Sequence, residues 1–330
     1  MSLDTFNVVR PLQKNQLSGG TGDELELAIE EFTGDVEQVL ARKSVLEGWI
    51  NVRPVRGTTT LTNYAVGDVG IQALVPGVTP DGQDADFSKA SVTIDTVALA
   101  RHVLPLLDVF QTSFDARKEL ALAQGQRIAK FRDEAFFIQA IKAALLTASP
   151  YGSSGHLGGT QVAVPAADRT DPAAIYAALA KLFAQMEEKD VDPSSDDVIL
   201  ALRPTDFYNL MQAEQIINGQ YVTAAGTTKE GFIFKAFGVP VVRSNNFPGG
   251  KNITSHLLSN ARNGNAYNGN FTNVVAAAFS PRAVLAGETI SLTSEVFYDQ
   301  VSKSHYVDSF LAFGATPNRP ELAGVVTQTP

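Results

Sequence analysis

One helical pattern, between residue 112 and about residue 147, most strongly constrains what this chain can fold into. Apolar side chains recur in it at spacings of three and four residues, which predicts a buried helix face: Ile128, Phe131, Ala135, Ile138 and Leu145. Thr112 and Asp115 fit a capping box at its start. At 1.5 Å per residue the helix would be about 50 Å long, which exceeds the width of a small domain. We therefore expect its two ends to reach different parts of the molecule.

A second extended element precedes the helix. Residues 49–66 and 91–104 are rich in valine and threonine and predict two β-strands. Residues 67–90 between them contain Pro-Gly and Pro-Asp-Gly turns and the aspartates at positions 68, 81, 84 and 86. Connections this long are uncommon in compact domains unless they have a function. We predict an extended β-hairpin with an acidic tip that lies outside the subunit's own core.

The remaining segments mix helices and strands, which predicts an α+β fold class. Residues 1–22 show little periodicity and end in a Gly/Ser-rich stretch, so we predict a flexible arm before a first helix capped by Asp23. Asp171 followed by Pro172 predicts another helix start. The remaining predicted elements are a helix from Thr205 and strands at 198–202, 237–242, 273–279, 290–298 and 304–313.

Composition and charge exclude several function classes. Only 18% of the 330 residues are charged, below the usual quarter, which suggests a surface that other protein covers. The net charge of −9 disfavours sequence-reading DNA binding, because an acidic chain gains no affinity from counterion release. The absence of cysteine excludes disulfides and thiolate metal sites. No apolar run is long enough to span a membrane, and no signal peptide is recognisable at the start, so we expect the chain to act in a cytoplasm or in what is assembled there.

Motifs for catalysis are missing from the sequence. The four histidines, at positions 102, 156, 256 and 305, show no metal-ligand spacing. The glycine-rich residues 152–159 and the Gly250-Lys251 pair match no phosphate-binding motif. Neighbouring acids such as Asp196 and Asp197 do not form a glycosidase-like pair. We predict that the chain is not an enzyme, with no catalytic, cofactor-binding or metal residue; a soluble hydrolase is the alternative from another class.

Several short motifs, weak one by one, occur along the chain: Gly22-Asp23-Glu24-Leu25, Val75-Pro76-Gly77, Arg203-Pro204-Thr205-Asp206-Phe207, Phe237-Gly238-Val239-Pro240-Val241-Val242 and Arg319-Pro320-Glu321. Their order and spacing resemble those of the major capsid proteins of tailed bacteriophages. The resemblance extends from about residue 23 to the end and is strongest to the short-tailed, T-seven-like branch. The fold is shared with encapsulin shells.

The resemblance implies a domain plan. Residues 1–45 would be an N-terminal arm and first helix, and residues 46–111 an extended loop and its base. Residues 112–165 with 290–330 would form a peripheral domain with the long helix as its spine. Residues 166–289 would form an α/β axial domain, whose Asn/Gly-rich loops meet at the centre of each ring of subunits.

The resemblance also implies a function. The chain would assemble in the bacterial host cytoplasm into hexamers and pentamers of an icosahedral virion shell that encloses double-stranded DNA. Its partners would be other copies of itself, a scaffolding protein, a portal protein and weakly held DNA, with a decoration protein left open and no cofactor or membrane involved. An encapsulin-type nanocompartment shell is the alternative within the fold, and a phage tail or head-completion protein is a third.

Opposite charges suggest how the hairpin tip binds a neighbouring subunit. Residues 67–90 carry four aspartates against Lys89, a balance of −3, and residues 113–147 carry six basic against four acidic side chains, a balance of +2. We predict that the tip docks on a neighbour's long helix; alternatively, the aspartates only keep an exposed loop soluble. The predicted contact residues are Asp81, Asp84, Asp86, Arg127, Lys130 and Arg132.

Overall fold

A computed structural model gives the fold. It describes residues 44–46, 48–73, 76, 77, 79, 82, 86–105, 116–152, 155–213 and 235–329. The predicted arm, almost all of the first helix, and the capping box at Thr112 and Asp115 therefore lie outside the described residues.

The described elements are three α-helices and fourteen strands, joined in places by short 3-10 turns. The helices are α1 (Ala116–Leu145), α2 (Pro172–Glu187) and α3 (Pro204–Met211). The strands are β1 (Val52–Pro54), β2 (Thr60–Val66), β3 (Phe87–Thr93), β4 (Ala98–Pro105), β5 (Thr160–Val164), β6 (Ile199–Leu202), β7 (Lys235–Ala236), β8 (Val239–Arg243), β9 (Asn252–Ile253), β10 (Gly269–Asn270), β11 (Val274–Phe279), β12 (Val284–Asp299), β13 (Ser304–Pro317) and β14 (Ala323–Gln328).

The chain divides into two compact units. Among the described residues, the first comprises Ser44, 97–105, 116–130 and 290–312, and the second comprises 45, 46, 48–73, 76, 77, 79, 82, 86–96, 131–152, 155–213, 235–289 and 313–329. The domain bounds implied by the resemblance stay a prediction.

Helix α1 confirms the predicted long helix. Its 30 residues extend about 45 Å, with residues up to 130 in the first unit and the others in the second. The prediction of a single buried face is too narrow for its second half, because residues 135–141 are all buried. A helix that is apolar all round belongs inside a core, and Phe136-Phe137-Ile138 carried that signal in the sequence.

In the first unit, strands β12, β13 and β4 are neighbours in one sheet, and one face of this sheet packs on α1. Ala121 of the helix and Val307 of β13 are fully buried there. Gln124 extends the contact with polar bonds: its Nε2 donates to the Val307 carbonyl at 3.1 Å, and its Oε1 accepts from Ser309 Oγ at 2.6 Å. Because a buried amide needs its partners in place, this network fixes the position of the helix along the strands.

The core of the second unit is a six-stranded sheet with the order β5-β14-β11-β6-β8-β7. Every residue of β6 and β11 is buried, which confirms the predicted strands at 198–202 and 273–279. Helix α2 packs on this sheet, with Leu182 and Met186 against Gly324 of β14. The helix begins as predicted, since the Asp171 carboxylate accepts from the Ala173 N–H at 3.0 Å.

Three further details, all in this six-stranded sheet, differ from the sequence predictions. Strand β14 was not predicted, although it lies inside the sheet between β5 and β11. Strand β5 was not predicted either; it pairs with β14 in parallel. The strand predicted at 237–242 is β8, which begins at Val239, two residues later than predicted. Phe237 and Gly238 instead adopt positive φ angles of 54° and 78° in the turn from β7 to β8.

Strands β2 and β3 form a hairpin, as predicted, in register from Thr60 opposite Thr93 to Val66 opposite Phe87. The bounds of its second strand differ from the prediction: β3 begins at Phe87, inside the predicted connection, and residues 98–105 form β4 in another sheet. Ala65 and Ala90 on one face are buried in a cluster with Tyr151. The expectation that residues 67–90 lie wholly outside the subunit's core is therefore wrong at Ala90. The reason is the alternation of strand side chains, which directs one face of the hairpin base into its own subunit.

Candidate assembly surface

The acidic tip of the hairpin is described in part. Asp86 lies exposed just before β3, and its carbonyl accepts from the Gly67 N–H at 2.8 Å, which closes the hairpin ladder. Asp68 is also exposed. Asp81 and Asp84 lie outside the described residues.

Two of the three predicted basic residues lie at the surface of α1. Arg127 is exposed and Lys130 is half-buried, so both cations are accessible. Whether they meet the hairpin tip of another subunit stays a prediction.

Arg132 requires a correction, because its side chain lies inside the subunit with 7% exposure. One guanidinium nitrogen is 3.5 Å from Glu288 Oε2, and the group lies 5.8 Å from the ring centres of both Phe136 and Phe313. Arginine tolerates such a position because its planar cation stacks on aromatic rings and pairs with a carboxylate. Glu288 and Phe313 are remote in sequence, so charge counting along the helix could not detect this burial.

The outward face of the hairpin carries an exposed apolar patch at its tip end, which was not predicted from the sequence. Tyr64 is 73% exposed and Phe87 is 69% exposed, with Val66 exposed beside them. Residues directly opposite in the ladder share a face, so Tyr64 lies beside Lys89 and Val66 beside Phe87. We call this surface the hairpin face: Thr60, Thr62, Tyr64, Val66, Phe87, Lys89, Ser91 and Thr93.

A second exposed face belongs to the sheet of the first unit, on the side opposite α1. Arg101 of β4 makes a bidentate ion pair with the buried Asp308, at 2.8 and 2.5 Å. Its guanidinium lies 5.9 Å from the Phe297 ring and 5.5 Å from the Tyr306 ring, and these two rings stack at 5.1 Å. We call this surface the sheet face: Leu99, Arg101, Val103, Thr293, Glu295, Phe297, Tyr306, Asp308 and Phe310.

An Asn/Gly-rich loop of the second unit surrounds His256. The imidazole lies between Phe131 and Tyr267, with both ring centres 5.2 Å away. Its Nδ1 accepts from the Leu258 N–H at 3.2 Å, while the buried Nε2 has no hydrogen-bond partner among the described residues. Burial lowers the pKa of His256 to about 4, so the ring is neutral at pH 7.

Asp133 anchors the residues that follow the predicted arm. Its fully buried carboxylate accepts from the N–H groups of Val45 and Leu46, at 2.9 and 3.3 Å, and from Asn246 Nδ2 at 3.0 Å. The long helix thus holds the chain at the point where it enters the second unit. The sequence gives no signal for this role, since all three donors are remote from Asp133.

The described residues offer little for catalysis. They include no group of three or more histidine, aspartate or glutamate side chains placed to hold a metal ion. Within the same part of the chain, no helix is long and apolar enough to cross a membrane. The most prominent features of the described residues are the exposed hairpin face and sheet face.

Comparison with protein families and solved structures shows that the chain is similar to capsid proteins. Residues 89–324 match a family described as "Gp10A-like: Major capsid protein". The capsid of cyanophage P-SCSP1u has a TM-score of 0.75 at 20% identity, covering 87% of this chain and 88% of that one. The mature capsid of bacteriophage PhiM1 gives 0.70 at 22% identity, with 87% of both chains covered.

A virus-like particle from Pyrococcus furiosus gives a TM-score of 0.55 at 10% identity, covering 91% of this chain and 99% of that one. No curated protein sequence matches the chain. The structural likenesses establish the α+β tailed-phage major capsid fold, as predicted.

Proposed function

The chain belongs to the Gp10A-like major capsid protein family, and from that premise we propose how it acts. It is a structural, non-enzymatic protein of a phage shell. We propose that its copies assemble into hexamers and pentamers of an icosahedral head that encloses double-stranded DNA. We assign the chain to the short-tailed, T-seven-like branch. Its copies assemble in the host cytoplasm together with scaffolding and portal proteins; a decoration protein is left open.

The observation that carries this proposal is the family match over residues 89–324. Two physical features support it. Large aromatic side chains stand exposed on both the hairpin face and the sheet face, as in a subunit whose surfaces are covered by neighbours. The net charge of −9 suits the wall of a DNA container, because such a wall should not bind the packed DNA tightly.

An encapsulin-type shell shares the fold, but family membership favours the phage head. A phage head and an encapsulin-type shell differ in what the particle contains. Purified phage particles would contain this chain as the main shell protein around DNA, whereas an encapsulin shell would contain a protein cargo. Nuclease-resistant DNA in the natural particle therefore distinguishes them.

Electron microscopy tests the shell proposal directly. The full chain is expressed with and without a scaffolding protein, and the product is viewed by negative stain. We expect uniform angular shells. Monodisperse monomers in both preparations, with enzymatic turnover, would contradict the proposal.

For the hairpin tip we propose docking by charge, with Asp81, Asp84 and Asp86 near Arg127 and Lys130 of a neighbour. An exposed ion pair contributes only about 0–1 kcal/mol, but a shell repeats the contact many times. Changing the three aspartates to lysine should raise the concentration needed for assembly, and Arg127→Glu with Lys130→Glu should partly restore it. If the aspartate variant assembles like wild type at low and high salt, the acids only keep the loop soluble.

A further inference from the structure

We propose that a cavity of the second unit binds a phosphate ion or the terminal phosphate of a small solute. The cavity has a volume of about 220 Å³, and every residue that lines it belongs to this unit. We call it the arginine cavity. Its polar lining residues are Asn51, Arg53, Asn63, Arg282, Asn318 and Arg319. The inference goes beyond the shell function, because it concerns a small ligand and does not depend on assembly.

The charged residues of this lining are all basic. Among the described residues, three arginines and no aspartate or glutamate line the cavity, so the lining carries +3 in a chain whose net charge is −9. Arginine presents five N–H donors in a rigid fork, has no acceptor and cannot be deprotonated in proteins. Three such cations around one recess repel each other, and an anion between them removes that repulsion. The lining therefore fits an oxyanion.

The guanidinium donors of the cavity are available to a ligand. Within the part of the chain that the structure describes, Arg53 forms no ion pair, and none of the three guanidinium groups makes a hydrogen bond. Arg282 lies 3.7 Å from an oxygen of Asp196, and Arg319 lies 4.0 Å from an oxygen of Glu321. Both distances exceed the length of a hydrogen bond. Even when both acids are counted, the three arginines leave a balance of +1.

Buried Asn318 fixes the backbone of the two segments that carry Arg282 and Arg319. Its Nδ2 donates to the Arg282 carbonyl at 2.9 Å, and its N–H donates to the Ala283 carbonyl at 2.8 Å. Arg319 is the next residue along the chain. Both arginines therefore extend from backbone that is already held in place, which reduces the entropy lost when an anion binds.

Further hydrogen bonds join these segments to strand β2. Asn63 Nδ2 donates to Asn318 Oδ1 at 3.1 Å and to the Tyr151 hydroxyl at 2.7 Å, and that hydroxyl donates to Asn318 Oδ1. Burial raises the pKa of Tyr151, so the hydroxyl keeps its proton and its role as a donor. Arg53 comes from strand β1, where it lies opposite Gly287 of β12. Segments remote in sequence thus form one polar recess with a fixed floor.

The number of donors favours phosphate over other oxyanions. A carboxylate offers two oxygens and a single charge, and so does the phosphodiester of a DNA backbone. A terminal phosphate offers three oxygens and a charge of about −1.5 to −2, so it can accept from all three guanidinium groups at once. The cavity has room for such an ion together with several waters, because a water occupies only about 30 Å³ in the liquid.

Equilibrium dialysis of the unassembled full chain against labelled inorganic phosphate tests the site. We expect saturable binding of a single ion per chain. Arg53→Gln and Arg319→Gln should each weaken this binding at least about tenfold, because each removes charge-assisted hydrogen bonds. Arg56→Gln is the matched control, because Arg56 is exposed in the same segment as Arg53 but does not line the cavity. Its affinity should stay within about twofold of wild type, since an isolated surface charge contributes little. All variants should keep the wild-type circular dichroism spectrum.

Competition in the same dialysis tests the class of ligand. Acetate supplies a carboxylate, and dimethyl phosphate supplies a phosphodiester. Each should displace labelled phosphate only at concentrations at least about tenfold higher than those of unlabelled phosphate, since neither can accept from all three arginines.

The outcomes separate this site from the shell function. The site is wrong if wild type shows no saturable phosphate binding, or if Arg56→Gln weakens the binding as much as Arg53→Gln does. Equal displacement by acetate or dimethyl phosphate would overturn the assignment to phosphate. None of these results depends on shells, so a chain that binds phosphate but forms no shell with its scaffold would contradict the proposed function alone.

Discussion

Lowering the pH should reduce the free energy of unfolding of the second unit, because His256 is buried in its neutral form, and the size of the effect follows from the shifted pKa. The folded ring titrates at about 4, against 6.5 for a free histidine. Between these values the unfolded chain binds a proton that the folded chain does not, so stability present above pH 6.5 is lost as the pH falls towards 4. Between pH 7.5 and pH 4.5 the free energy of unfolding should fall by about 2.5 kcal/mol for this reason.

Hydrogen bonding explains why the folded ring resists the proton. The Leu258 N–H donates to Nδ1, so neutral His256 carries its hydrogen on Nε2. A second proton on Nδ1 would face that N–H group and break the bond. Of the two rings stacked on the imidazole, only that of Tyr267 is titratable, and burial raises its pKa to about 12, so it supplies no negative charge.

The assay is urea denaturation of the unassembled full chain across this pH range, for wild type and His256→Asn. Asparagine keeps an acceptor near the Nδ1 position but does not titrate. The variant should be less stable at pH 7.5 because it loses the ring stacking, yet its stability should fall by about 2.5 kcal/mol less than that of wild type by pH 4.5. Parallel curves for the two proteins would refute the reasoning.

Three other predictions concern the anchor and the hairpin. Asp133→Ala should lower the free energy of unfolding by about 3 kcal/mol, because it leaves one buried and two part-buried donors without their acceptor; a loss under 1 kcal/mol in urea denaturation would contradict this. Replacing residues 69–85 by a short Asn-Gly turn should leave β2 and β3 paired and the circular dichroism spectrum intact while closed shells are lost. If that variant formed normal shells, the connection between β2 and β3 would not be an assembly contact. Mature particles boiled in detergent should run as single chains, and ladders that vanish on Lys89→Ala would show a covalent crosslink instead.

Periodicity was enough to predict much of the fold. Helix α1, the β2–β3 hairpin, the cap at Asp171 and the buried strands β6 and β11 were predicted because each depends on residues close together in sequence. Strand β14 was missed because Gly324-Val325-Val326 is too short a run to separate from a tail. Its place inside the sheet depends on pairing with β11 and β5, which are distant along the chain.

The candidate surface was harder to predict. Counting charges identified Arg127 and Lys130 as surface cations, but it also selected Arg132, whose burial depends on Glu288 and Phe313. The hairpin face was missed for a related reason. Alternation along β2 separates Tyr64 and Val66 from Ala65, but only the packed structure decides which of the two faces is covered.

A cryo-electron microscopy reconstruction of particles assembled from the full chain with its scaffolding protein tests the central claim most directly. The account predicts a closed icosahedral shell with pentamers at the vertices, hexamers between them and one copy of this chain at every position. Particles without fivefold vertices, or a shell built from another protein with this chain absent from the wall, would contradict it.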